Sequence, residues 1–227
     1  MEQGLNRKVP NTLREFVRQR GQHAHNLWVC YSAKQNRELH LTSDYAMCHV
    51  VLLECDPEIV SYTLEAPEHC TQIAGKWVGT RFDATVIYKD GHQEWHEVKA
   101  LRDFFDTREN DQIAAQMQIA EEYGTQYKLF TDEEIRPQLH RIWNGLLMLS
   151  CLSAAREHSL MPYRTVIIAT LMAKPQPIGA LRHLVDGDQG LLLAALFELV
   201  LQGHVLLDMD SKLLTDLDLC RYSRRES

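Results

Sequence analysis

The sequence lacks most of the local patterns by which enzymes and metal-binding proteins are recognised. It contains no phosphate-binding loop, no G-x-G-x-x-G and no G-x-S-x-G. Its six cysteines are scattered without C-x-x-C spacing, which predicts reduced thiols rather than a disulfide framework or a zinc site. Two histidine pairs, His23 with His25 and His92 with His96, have no third or fourth ligand at zinc spacing.

Long apolar runs and targeting signals are also missing. The apolar stretch from Leu191 to Leu207 is interrupted by Glu198 and His204, which is not the composition of a transmembrane helix. The N-terminal residues lack the apolar core of a signal peptide, and no internal repeat is present. We therefore expect a cytoplasmic protein with no membrane partner.

Positive charge is scarce in most of the chain. The net charge of −7 combines +4 over residues 1–40, −11 over residues 41–136 and zero over residues 137–227. An acidic central region binds DNA poorly by itself, because phosphate contacts require cations. The basic N-terminal arm is the best source of such contacts, although a solvated amphipathic helix would show the same pattern. Its cations are Arg7, Lys8, Arg14, Arg18, Arg20, Lys34 and Arg37.

The most informative pattern lies in the segment R-F-D-A-T-V-I-Y-K-D-G-H-Q-E-W-H-E-V-K, residues 81–99. A D-G pair at positions 90 and 91 separates two apolar runs and predicts a β-hairpin. Residues two apart on a strand share a face, so Glu97 and Lys99 should point the same way, and Asp83 can reach that face from the neighbouring strand. Two carboxylates and an amine can bind Mg²⁺ and orient a water molecule. This is the arrangement of PD-(D/E)xK nucleases, although a lone Glu-x-Lys is more commonly a solvated face.

Residues 31–136 resemble the catalytic domain of TnsA-type transposon endonucleases. Four segments carry the resemblance in the family's order: Y-S-A-K-Q-N-R-E-L-H-L-T-S-D-Y (31–45), L-L-E-C-D-P (52–57), the hairpin at 83–99, and F-T-D-E-E-I (130–135). The resemblance implies that Asp83 and Glu97 hold Mg²⁺, for which Mn²⁺ can substitute, and that Lys99 positions the attacking water. It also implies a bacterial source and three partners: the DNA of transposon ends, a TnsB-like transposase subunit and a TnsC-like ATPase regulator.

One position departs from the family. Such nucleases usually carry a glutamate on the first helix, and that position falls on Ala46, whose methyl group cannot bind a cation. Glu54 lies two helical turns further on, about 12 Å away at 1.5 Å per residue. It is therefore predicted to be a helix-end residue rather than a substitute ligand.

The fold class predicted is α/β, a mixed sheet flanked by helices, as the resemblance to a restriction-endonuclease-like core implies. Strands are expected at 27–31, 38–41, 59–64 and 126–130, with helices at 43–54 and 109–123 and a short one in the basic arm. Residues 75–80 are predicted as a loop. The inner stripe of the second of these helices is predicted to be Ile113, Met117 and Ala120.

The character of the sequence changes near residues 136 and 137, which predicts a nuclease-like domain at 1–136 and a second domain at 137–227. Helices at 139–157, 178–185 and 189–202 and a hairpin made of 203–207 and 212–217 indicate a winged helix. Four aspartates on the predicted wing would repel phosphates, which favours docking of a protein over binding of DNA. They are Asp208, Asp210, Asp216 and Asp218.

Together these patterns predict a metal-dependent endonuclease subunit of a heteromeric transposase, which cleaves one strand at each transposon end. Two alternatives stay open. A standalone nuclease of restriction or junction-resolving type would have the same core. A non-catalytic subunit that assembles the transposition complex would account for Ala46.

Overall fold

The computed structural model describes residues 26–100, 107–184 and 187–223. The predicted short helix in the basic arm lies outside these residues, as do the first five cations of that arm: Arg7, Lys8, Arg14, Arg18 and Arg20. The described part begins with an antiparallel hairpin of β1 (Trp28–Ser32) and β2 (Arg37–Leu41). Both strands are confirmed within one residue of their predicted bounds.

Helix α1 (Asp44–Cys55) begins where the sequence predicts a cap. The Ser43 hydroxyl accepts the N–H of Ala46 at 3.0 Å, which satisfies one of the backbone donors left open at a helix start. Eight of the nine residues from Met47 to Cys55 are buried, so α1 is an internal helix with only its first turn toward solvent. Ala46 lies in that first turn.

Two strands that the sequence analysis missed follow β3 (Ile59–Thr63). β4 (Glu68–Ile73) and β5 (Lys76–Arg81) form an antiparallel hairpin, so the prediction of a loop at 75–80 was wrong. Their turn places Ala74 at a φ of +50° and Gly75 at +78°. Two consecutive positive φ angles are typical of the tight turns that join twisted strands. An A-G pair is a much weaker turn signal than N-G or D-G, which is why the hairpin was not predicted.

The hairpin at 83–99 is confirmed. β6 (Ala84–Tyr88) and β7 (Gln93–Val98) are antiparallel, and Gly91 in their turn has a φ of +86°. They form the middle of a four-stranded sheet in the order β3, β6, β7, β8, in which β8 (Gln126–Phe130) runs parallel to β7. Helix α2 (Thr107–Glu122) lies between β7 and β8 in the chain, as a parallel pair requires. The fold is thus mixed α/β, with sheets flanked by helices.

A short helix α3 (Asp132–Ile135) and one turn of 3₁₀ helix (Arg136–Gln138) lead into α4 (Leu139–Ala155). The next helix, α5 (Met161–Ala173), was not predicted; Pro162 stands in its first turn, a position that tolerates proline. The remaining elements are β9 (Gln176–Pro177), α6 (Ile178–Leu181), α7 (Gln189–Leu201), β10 (Val205–Leu206) and β11 (Leu219–Tyr222). Among the described residues, no helix combines the length and the apolar composition that crossing a membrane requires.

The last three strands form a small sheet in the order β10, β11, β9. The strand predicted at 212–217 was wrong, because this stretch is a loop and the strand lies at Leu219–Tyr222. The amide of Asn144 on α4 donates to the carbonyl oxygens of Met209 and Lys212 and accepts the N–H of Leu214. These hydrogen bonds occupy backbone groups of Met209, Lys212 and Leu214 that would otherwise pair with a neighbouring strand.

One buried apolar cluster extends through both parts of the chain that the sequence analysis separated. It includes Val51 of α1, Met148 of α4 and Leu196 of α7. Helices α1 and α4 approach each other closely at Gly145, where a Cβ atom would lie 2.5 Å from Cys55 Sγ and 2.6 Å from Val51 Cγ1. The proposed boundary at 136–137 stays a prediction, and the two sides of it share a core.

Substitution of Gly145 by alanine tests this packing. We expect Gly145→Ala to lower the free energy of unfolding by about 1–3 kcal/mol, because the methyl group would overlap buried atoms of α1. Ser150→Ala, at an exposed position of the same helix, is the control. Chemical denaturation measures both. Alanine has a higher helix propensity than glycine, which by itself would raise the free energy of unfolding by up to about 1 kcal/mol. A Gly145→Ala protein that shows this gain, and no loss of stability relative to the control, would contradict the close approach.

Candidate active site

The backbone at the start of β6 fixes Asp83 beside β7. Its N–H donates to the carbonyl oxygen of His96 at 2.9 Å, which extends the β6–β7 ladder by one residue. Its carboxylate oxygen Oδ2 accepts the N–H of Val98 at 2.7 Å. Both the backbone and the side chain of Asp83 are therefore held at the strand that carries Glu97.

Glu97 and Lys99 lie on the same face, as strand alternation predicts. The Lys99 ammonium Nζ is 3.0 Å from Glu97 Oε1. The N–H of Lys99 donates to the carbonyl oxygen of Phe130 at 2.9 Å, which ties this end of β7 to β8. Glu97 is only 1% exposed, although Asp83 is exposed to solvent. The structure therefore brings together the three residues that the sequence analysis singled out.

Helix α2 supplies two further donors to Glu97. Gln116 Nε2 donates to Oε2 at 2.6 Å, and Gln112 Nε2 donates to Oε1 at 3.2 Å. Gln116 is fully buried, and its amide oxygen accepts the Tyr127 hydroxyl of β8 at 3.0 Å. With Lys99, three donors thus reach the Glu97 carboxylate, and Tyr127 orients one of them.

The sequence analysis missed these glutamines because it misassigned the inner stripe of α2. The buried residues include Ala115, Gln116 and Ile119, whereas Met117, which was predicted to be inside, is 56% exposed. Ala120 is buried as predicted. The available signal was the Gln112–Gln116 spacing of four, which puts two amides on one helix face. A glutamine on a helix is so commonly exposed that the spacing alone would not have been decisive.

Burial and the neighbouring charge of Asp83 raise the pKa of Glu97 to about 7, against the partial opposition of Lys99 and Gln116. A buried carboxylate prefers its neutral form, and a second carboxylate nearby strengthens that preference. The pair therefore concentrates negative charge that a cation would stabilise. Perturbed pKa values of this kind occur more often at functional sites than on solvated strand faces.

A cavity of about 500 Å³ lies beside Asp83 and is also lined by Ala46 and His49 of α1. The first turn of α1 and Asp83 thus line the same cavity, on the side of β7 that carries Val98 and faces His49. Glu97 and Lys99 lie on the opposite face of β7. The Ala46 methyl group contributes no ligand there. Arg37 of β2 lies at the same cavity and pairs with Glu65 at 3.0 Å.

Glu54 and Lys34 have structural contacts elsewhere. The buried Glu54 carboxylate accepts the hydroxyls of Ser32 and Tyr62 and the N–H groups of Ala33 and Lys34. It therefore ties the end of α1 to the β1–β2 turn, consistent with the predicted helix-end role. The Lys34 ammonium donates to the carbonyl oxygens of Asp56 and Ile59, away from the Asp83 cavity. A DNA contact by Lys34 stays a prediction.

His96 points to the other face of β7, where it joins His49 and Glu94. Its Nε2 is 2.8 Å from Glu94 Oε2, and its Nδ1 is 2.9 Å from His49 Nε2. Burial lowers the pKa of His96 to about 4 and that of His49 well below its usual value, so both rings are neutral at pH 7. In that state His49 donates to His96 and His96 donates to Glu94. His23 and His25 lie outside the described residues.

No group of three or more histidine, cysteine or acidic side chains within the described ranges has the arrangement of a metal site. All six cysteines are free thiols, as their spacing predicts. Asp83 and Glu97, whose charges interact, are a pair of acids and not a group of that size.

Comparison with known proteins gives no matching family model and no significantly similar curated protein. The geometry of Asp83, Glu97 and Lys99 therefore carries the functional assignment.

The raised pKa of Glu97 predicts a specific dependence of stability on pH. The unfolded side chain ionises near 4.5 and the folded one near 7, so folding stability falls as pH rises through this window and stays reduced above it. The fall is about 3 kcal/mol at most. Glu97→Gln cannot titrate, so its free energy of unfolding should lack this fall. Denaturation of both proteins between pH 5 and 8 measures it, and parallel pH profiles would contradict the assignment.

Proposed function

We propose that this protein is a metal-dependent DNA endonuclease subunit of the TnsA type, which cleaves one strand at each transposon end. The observation that supports the proposal best is the convergence of Asp83, Glu97 and Lys99 at one end of the β6–β7 hairpin. Three such side chains on a solvated strand face would not include a carboxylate that is 1% exposed and held by two buried or half-buried glutamines.

The donor set suits Mg²⁺. This ion is usually held by one or two carboxylates, with water and substrate phosphate completing its shell. A carboxylate offers about four lone-pair sites, and the donors to Glu97 among the described residues number three, so these residues leave one site for a cation. Asp83 and Glu97 would hold the ion, which would polarise the scissile phosphate and lower the pKa of a bound water.

Lys99 has two roles in this proposal. Its ammonium contacts Glu97 Oε1 and so keeps that carboxylate oriented when the site is otherwise negative. The same ammonium would hold the attacking water and offset charge that develops on the phosphate. Removing it should therefore impair cleavage even where metal binding persists.

Ala46 supports a second candidate function. The cavity lined by Asp83 is also lined by the methyl group of Ala46, the position that the family resemblance assigns to a glutamate. A chain with one ligand fewer would bind metal more weakly and could act as a non-catalytic subunit that assembles the transposition complex. Cleavage in the presence of the partner subunits distinguishes the two functions.

We further propose that the C-terminal part is a winged helix that docks the ATPase partner. The elements follow one another in the order α5, β9, α6, α7, β10, β11, and β11 lies between β9 and β10 in the sheet, which supports this assignment. Three aspartates of the predicted wing form ion pairs, which weakens the argument from repulsion of phosphate: Arg141 with Asp210, Arg182 with Asp216, and Lys212 with Asp218. The exposed Leu213 and Leu217 of the same loop favour a protein partner instead.

The metal assignment predicts weak binding of Mg²⁺ or Mn²⁺ through oxygen ligands. Calorimetric titration of the full chain with Mn²⁺ near pH 7.5 should show binding that Asp83→Asn abolishes, because the variant removes a ligand charge and little volume. Asp90→Asn, in the hairpin turn at the far end of β6, is the matched control and should bind normally. Equal binding by all three proteins would exclude Asp83 as a ligand.

The endonuclease assignment predicts a gain of activity from Ala46→Glu. A carboxylate in the first turn of α1 would face the Asp83 cavity and add a ligand, which is worth on the order of a hundredfold in rate. Nicking of a supercoiled plasmid with transposon ends, with the transposase subunit and Mg²⁺ present, measures it.

Two variants control for other effects of that substitution. Ala46→Gln adds the same bulk without the charge and should give no gain. Lys99→Ala in the Ala46→Glu background should remove the gain. Unchanged nicking by a folded Ala46→Glu protein would show that α1 does not present position 46 to the metal.

A further inference from the structure

A second cavity, of about 490 Å³, lies where the β1–β2 turn, the residues before β3 and the helices α4, α5 and α7 meet. It shares no lining residue with the cavity beside Asp83. Its volume falls within the range of small-molecule sites, roughly 300 to 1,000 Å³. Its apolar lining residues include Ile59, Leu152, Leu160, Met161 and Leu201.

The charged lining of this cavity is positive in a chain whose net charge is −7. Its four cations are Lys34, Lys89, Arg156 and Arg164, and its two carboxylates are Glu54 and Glu198. Both carboxylates already accept hydrogen bonds from protein donors. Glu54 accepts four protein donors, and Glu198 accepts Arg164 at 3.0 Å.

Among the described residues, two of the cations form only weak ion pairs, and Arg156 also donates to the carbonyl oxygen of Ser153 at 3.3 Å. Lys89 Nζ is 4.0 Å from Glu58, and both side chains are about half exposed. Arg156 lies 3.5 Å from Glu157, which is 83% exposed. Exposed ion pairs of this kind contribute little and exchange readily for another anion.

Lys34 provides a more fixed donor. An ammonium group has three N–H donors, and its acceptors among the described residues are the carbonyl oxygens of Asp56 and Ile59. One N–H remains for a bound molecule. Burial, helped a little by the charge of Lys89, lowers the pKa of Lys34 to about 8, against the opposing charges of Glu54 and Asp56. An anion in the cavity would stabilise the charged form.

We propose that this cavity binds a small organic anion, whose phosphate or carboxylate group contacts the cations and whose aromatic or aliphatic body packs against the apolar lining residues. Such a ligand would contact the β1–β2 turn and helices α5 and α7 at once. The proposed anion site does not depend on the proposed endonuclease function, so an experiment can contradict one of these two proposals and leave the other intact.

Calorimetry with three matched compounds tests the proposal: 1-naphthyl phosphate, 1-naphthoate and the uncharged 1-naphthamide. We expect the full chain to bind at least one of the two anions with a stoichiometry of one, and about tenfold or more tightly than the amide. The anion that binds more tightly shows whether the cavity prefers a phosphate or a carboxylate group. No binding of either anion, or equal binding of the amide, would overturn the proposal.

Two substitutions locate the site. Lys89→Met and Arg156→Met remove a charge and keep an apolar stem, and each should weaken anion binding about fivefold or more. Lys34→Met is less informative, because it also removes two hydrogen bonds to the backbone. Lys76→Met, on β5 outside the cavity, is the control and should bind normally. Normal binding by both cavity variants, or equal weakening by Lys76→Met, would overturn the proposal.

Discussion

The burial of the Glu97 carboxylate is the constraint on which the candidate site depends. A buried ionised group costs several kcal/mol unless hydrogen bonds and an opposite charge compensate for the lost water. Here Lys99 supplies the charge and Gln112 and Gln116 supply hydrogen bonds. Helix α2 therefore has to pack against the Glu97 face of β7, and a glutamine occupies a fully buried position that an apolar residue would otherwise fill.

Asp83 acts against this compensation. A carboxylate that served stability alone would gain from neighbouring cations, which lower its pKa, whereas Asp83 raises the pKa of Glu97. The strand ladder enforces that proximity, because the N–H of Asp83 donates to the carbonyl oxygen of His96, and the Asp83 side chain in turn accepts the N–H of Val98. Two acids held together by the backbone, with one lysine beside them, are a stronger indication of a cation site than the Glu-x-Lys pattern by itself.

Strand alternation and the D-G turn were sufficient to predict that Glu97 and Lys99 share a face and that Asp83 lies near them, because both are local properties of a hairpin. The hydrogen bonds from Gln112 and Gln116 to Glu97 could not be predicted in the same way. Whether Gln116 is buried depends on how α2 docks, and the apolar pattern of that helix pointed to Met117 instead. The β4–β5 hairpin was missed because its turn rests on Ala74 and Gly75, a pair with a weak sequence signal.

The most direct test is the pKa of the Glu97 carboxyl group, measured by ¹³C NMR in protein labelled at glutamate and assigned with Glu97→Gln. We predict a value near 7 in the unaltered protein without metal, because of burial and Asp83. The value should fall in Asp83→Asn, which removes the neighbouring charge, and should fall on addition of Mg²⁺ to the unaltered protein. An ordinary glutamate value that neither change affects would contradict a buried acidic pair at this site.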